Sequence, residues 1–207
     1  MDTPAETEIA TPAPAPAVDD RPRPSRGRDA VLAGAVLLLG GAVGAVGGWL
    51  WYRWWGPPGE GEVYDTDRGR LWLDPADQAM TSAFDATAQF VLVGAALGIV
   101  LGVVAALLGR TRPLVGLAAV CVASVLASVV AARVGFQLSP PDPQTLVDEV
   151  EIGTKLPAGL VLSGWTPYLS WPIGALTGFL AVMLLGVGLG EVRRQEADPS
   201  SWLQPRA

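Results

Sequence analysis

Residues 86–132, ATAQFVLVGAALGIVLGVVAALLGRTRPLVGLAAVCVASVLASVVAA, decide the fold. Two apolar runs, 86–108 and 114–132, flank the short polar break GRTRP. The first run is 23 residues long, about 34 Å as a helix at ~1.5 Å per residue, against a bilayer core of about 30 Å. Neither run alternates with period two and neither carries a polar face, so both read as membrane spans. A five-residue turn between them makes them antiparallel neighbours.

Upstream, residues 30–52 form another apolar run, preceded by Arg21, Arg23, Arg26 and Arg28. The run is too long for the apolar region of a secretory signal, and WLWYRWW stands where a small-residue cleavage site belongs, so an uncleaved anchor is expected. Downstream, Trp171-Pro172 opens a fourth run, 172–189. The expected architecture is an all-α membrane protein with four transmembrane helices and a small extracytoplasmic hairpin/helix cap. The membrane domain covers 30–190, with outer loops at 53–85 and 133–171. Residues 1–29, rich in Pro and Ala, are expected to be a disordered cytoplasmic tail. Residues 191–207 form a polar C-terminal tail.

The cap has its own local signals. EVYDTDRGRLWL offers two extended pieces, Val63-Tyr64 and Leu71 to Leu73, around an Asp-Arg-Gly turn. Asp74, Pro75 and Asp77 suit the first turn of the helix that becomes span two, the acids favouring the positive end of its dipole. In the second loop a short helix is expected from Asp142-Pro143, followed by an irregular return rich in Gly and Pro.

Arginine sets the orientation. With both termini cytoplasmic, nine of the 14 basic residues lie inside, and the outer loops keep five against 11 acids. Positive charge retained on the inner side makes this a multi-pass plasma-membrane protein with cytoplasmic N- and C-termini.

Composition excludes several function classes. Histidine is absent, which removes Ser-His-Asp and Cys-His nucleophiles and the His-containing zinc sites. The single Cys121 cannot form an intrachain disulfide and reads as a buried, inert thiol. A net charge of −6 with no clustered basic face argues against nucleic acid. LSGW at 162–165 faintly resembles an intramembrane serine-protease motif, but no histidine is present to build the dyad. Asp65, Asp67, Asp74 and Asp77 are spaced loosely enough to hold a cation weakly, yet they read first as solvated surface, because the calcium-loop pattern is missing. No catalytic, cofactor or metal residues are expected.

Small residues recur at four-residue spacing: Gly40, Gly44 and Gly48 in span one, Gly94, Gly98 and Gly102 in span two, Gly174 and Gly178 in span four. Span three carries Ala123, Ala127, Ala131 and Gly135 in the same way, with Ser124 and Ser128 beside them. Such stripes let helix backbones approach where lipid is as apolar as leucine. They fit packing within one bundle, and they also fit contact with a partner protein or a second copy.

Polar groups near the membrane are few, and all fall at the outer interface: Arg53, Asp85, Gln89 and Arg133. An Asp85–Arg133 pair with Arg53 and Gln89 nearby is one reading; separate snorkelling side chains are the other. Trp49, Trp51, Tyr52, Trp54, Trp55, Trp165, Tyr168 and Trp171 reach the same level and are expected to form an aromatic belt.

The stretches DRGRLWLDPADQAMTSAFDATAQFVLVGAALGIVLG, AARVGFQLSPPDP and LSWPIGALTG resemble a family of small actinobacterial four-helix membrane proteins of unknown function. The likeness spans about 30–189. It implies a fold and a compartment, and sets Asp85, Arg133 and Trp171-Pro172 beside similar positions in that family. It implies no activity.

The function expected is that of a non-enzymatic envelope protein, structural or accessory to a membrane complex, with the lipid bilayer and another membrane protein or itself as partners. The alternative is a small oligomeric channel or transporter, which needs a polar stripe through the full depth of a span.

Overall fold

A computed structural model describes residues 26–67, 69–74 and 78–197 of the chain. Four long helices dominate it: α1 (Arg26–Trp55), α2 (Gln78–Leu108), α3 (Pro113–Leu138) and α4 (Ser170–Ala197). Each contains a segment long and apolar enough to cross a membrane. The chain is thus a helical protein of the multi-pass membrane type.

The helices outrun the apolar runs that announce them. α3 continues past Arg133 to Leu138, because Val134 to Leu138 contain no proline and the first one is Pro140, after the cap at Ser139. α4 starts at Ser170, two residues before Pro172, and continues through the polar EVRRQEA, all helix-tolerant residues, to Ala197. α1 begins at Arg26, inside the stretch expected to be disordered, with Asp29 in its first turn. The rest of that tail, the proposed helix start at Pro75 and Asp77, and residues 198–207 lie outside the described residues.

α2 and α3 are antiparallel across the GRTRP turn, where the Gly109 N–H bonds the Ala105 carbonyl at 2.8 Å and Pro113 opens α3. They are not the main packing partners. The broad interfaces join α1 to α3 and α2 to α4, and both pairs run parallel. A Cβ added at Gly40 would lie 2.7 Å from the Ala123 carbonyl oxygen, at Gly44 2.5 Å from that of Ala127, and at Gly48 it would meet that of Ala131. On the other pair a Cβ at Gly98 would lie 2.6 Å from the Trp171 carbonyl oxygen, and at Gly102 it would strike that of Ala175. Gly174 and Gly178 return the contact against Ala95 and Ile99. Backbone meets backbone along both seams, so dispersion and close approach hold pairs that apolar burial cannot hold in lipid.

Both inter-helix loops at the far end from the GRTRP turn fold into one cap. Strands β1 (Glu60–Thr66), β2 (Gly69–Leu73) and β3 (Lys155–Pro157) form an antiparallel sheet in the order β2-β1-β3. β1 and β2 pair Val63 with Trp72 and Thr66 with Gly69. Gly69 takes φ +107°, which an L side chain resists. Val63 is fully buried beneath the sheet. The second loop is more regular than a Gly/Pro-rich return: β3 pairs with β1, and the short helix at Asp142 is a single 3-10 turn, Pro143–Thr145, capped when the Gln144 N–H donates to the Asp142 carboxylate at 3.0 Å. Three residues are too few for an alternating pattern to show.

Candidate functional site

Where α1, α2 and α4 meet beneath the cap, the bundle is closed by aromatic rings. Trp51 is 0% exposed, and its indole N–H donates to the Ala86 carbonyl at 2.7 Å, tying α1 to α2. The ring stands edge-on to Phe90 at 4.9 Å and to Phe136 at 5.7 Å, over Gly135 of α3. Trp171, also 0% exposed, drives its ring from α4 against Gly47 of α1 and Gly94 of α2. Phe90 joins this ring to Tyr168. The geometry corrects the belt reading: Trp49 and Trp54 are 52% exposed and Trp165 is 71% exposed, but Trp51 and Trp171 are core. The cause is helical phase, because Trp51 follows Gly44 and Gly48 on the α3-facing stripe and Trp49 and Trp54 lie off it.

Among the described residues, two buried polar atoms at this end have no hydrogen-bond partner, the Gln89 Oε1 and the Trp171 Nε1. Arg53, Asp85 and Arg133 are exposed, and no ion pair joins any two of them among the described residues. Of the four rim residues, then, only Gln89 reaches the interior.

An ion pair forms instead at the opposite end of the bundle. Arg112, ahead of Pro113, bonds Asp29 in the first turn of α1, both side chains about three-quarters buried. These two are separated by 83 residues, the same offset that sets Gly40 on Ala123 and Gly44 on Ala127. The order of the helices puts both at one end of the bundle, but the sequence offers no sign that they touch.

Between the two ends the interior is apolar. The buried polar side chains among the described residues are Ser124 and Ser128 there and Ser170 at the cap end, where α4 begins. Each hydroxyl donates to a carbonyl three residues earlier, at 2.9 Å to Cys121, 2.8 Å to Val125 and 2.8 Å to Pro167. Cys121 itself is exposed on the outer face of α3, not buried, because it lies off the Ala119–Ala123–Ala127 stripe.

The cap is held by the second loop wrapping the hairpin. The Trp72 ring covers Gly61 and donates from Nε1 to the Leu156 carbonyl at 3.1 Å, and its backbone N–H donates to the Gln144 side chain at 3.3 Å. Arg70 donates to the Val150 carbonyl at 3.2 Å. Asp65 and Asp67 are exposed and Asp74 is half-buried; among the described residues no three His, Cys, Asp or Glu side chains converge as a metal site would require.

The fold and this site define a class, a bundle of four helices each long and apolar enough to cross a membrane, with a small three-stranded sheet at one end. No family model, no curated protein and no solved structure matches the chain.

Proposed function

We propose that this is a non-enzymatic plasma-membrane protein, structural or accessory to a cell-envelope complex, with both termini cytoplasmic and the three-stranded cap outside. A place among the small actinobacterial four-span proteins belongs to the same proposal. One observation carries it. The bundle interior is filled by glycine-to-backbone seams, and the Ser124 and Ser128 hydroxyls are bonded within α3, so the inner faces of the spans are committed to holding the fold. What remains available is surface: the cap with its exposed Tyr64, Leu71 and Leu73, and the rim with Arg53, Asp85 and Arg133. A scaffold that presents a surface fits this arrangement better than a conduit, which has to line a path with polar groups.

Affinity purification of the full chain in mild detergent, followed by mass spectrometry, tests the reading. A partner membrane protein should be recovered in stoichiometric amount. Recovery of the chain alone overturns the accessory role.

A further inference from the structure

At the GRTRP end of the bundle α1 is flanked by two open grooves. One, of about 360 Å³, is lined by Gly27, Arg28, Val31, Leu32, Ala35 and Leu108. The other, of about 450 Å³, lies on the α3 side between Ala33, Leu37 and Ala118 and has no charged residue in its lining. The first therefore pairs an apolar trough, formed by one face of α1 and the end of α2, with one basic residue, Arg28, in its lining. Arg28 is exposed and forms no ion pair among the described residues; its neighbour Asp29, the nearest acid in sequence, is occupied by Arg112. Arg110, also exposed and without an ion pair there, follows Leu108 by two residues.

We infer that the Arg28 groove is a binding site for an anionic phospholipid. An acyl chain lies against Val31, Leu32, Ala35 and Leu108, and the phosphate is held by Arg28, with Arg110 adding positive potential. Arginine suits this place, because its planar fork takes two phosphate oxygens at once and its stem can lie along the apolar wall. Basic residues where helices leave the membrane attract anionic headgroups, by about fivefold in affinity for each charge near the surface. The Asp29–Arg112 bond contributes by fixing the α2–α3 turn against α1, so that Leu108 and the start of α1 keep their spacing. The inference needs the helices to sit in a bilayer; it depends on neither the sidedness nor the accessory role proposed above.

The test uses the full chain in mild detergent, offered an equimolar mixture of phosphatidylglycerol and phosphatidylcholine, with the retained lipid measured by mass spectrometry after washing. Wild type should retain phosphatidylglycerol in excess. Arg28→Gln should cut that preference about fivefold, and Arg28→Lys should keep most of it. Ala35→Phe, which fills the trough at an exposed position, should abolish retention, whereas Ala118→Phe in the uncharged groove should leave it intact. Circular dichroism confirms that each variant is folded. Equal retention of both lipids by wild type, full preference in Arg28→Gln, or equal loss from the two Phe variants overturns the inference. So does displacement of the lipid by inorganic phosphate at the same concentration, which would show a simple anion site.

Discussion

Trp51 of α1 donates its indole N–H to the Ala86 carbonyl of α2 at 2.7 Å while its ring rests on Gly135 of α3. One side chain thus fixes three helices at the level where the cap begins. Trp51→Phe removes the donor and keeps much of the ring, and should cost about 1 kcal/mol. Trp51→Ala leaves a large hole and should cost about 3–5 kcal/mol. Thermal unfolding in detergent measures both, and an unchanged stability of Trp51→Phe would show that the hydrogen bond contributes nothing.

Glycines in one helix should differ sharply in what they tolerate. A Cβ at Gly44 meets the Ala127 backbone at 2.5 Å, and one at Gly34 meets nothing within 4 Å. Gly44→Ala has to force α1 and α3 apart and should lose about 1–3 kcal/mol. Gly34→Ala should be neutral or gain up to about 1 kcal/mol from helix propensity. The same stability assay compares them.

Two double-mutant cycles separate real from apparent charge pairing. For Asp29→Asn with Arg112→Gln the losses should be non-additive by about 0.5–2 kcal/mol, because each leaves the other's partly buried charge alone. For Asp85→Asn with Arg133→Gln, both exposed, the losses should add within about 0.5 kcal/mol. Coupling in the second cycle would mean that the rim residues do meet.

Sidedness has a direct assay. With Cys121 replaced by Ala, a membrane-impermeant maleimide applied to whole cells should label Thr66→Cys, in the cap, and spare Thr111→Cys, in the α2–α3 turn. Labelling of Thr111→Cys alone inverts the proposed topology.

The four helices were legible in the sequence because a 23-residue apolar run needs no context to be recognised. Partnership was not legible. Four-residue spacing shows that Gly40, Gly44 and Gly48 share a face, but any helix with a small-residue stripe could receive it. The short turn after Leu108 suggests α2 against α3, whereas the closest seams join α1 to α3 and α2 to α4. The aromatic rim misled for a related reason: enrichment at the interface assigns a residue to a depth, and only helical phase tells Trp51 from Trp49. β3 and the Asp29–Arg112 bond join positions more than 80 residues from their partners, and neither has a local signature.

The parallel seams also bear on how the chain is made. α1 and α3 point the same way, so the surface that receives Gly40, Gly44 and Gly48 does not exist until a full intervening span has been threaded and the chain has turned back. The same holds for α2, whose glycines wait for α4. A nascent chain halted after its second span therefore displays two unmatched small-residue faces to the bilayer, and the last helix to be synthesised completes the seam begun by the second. Truncation before α4 should leave a species marked for quality control, where loss of the polar tail beyond Ala197 should not.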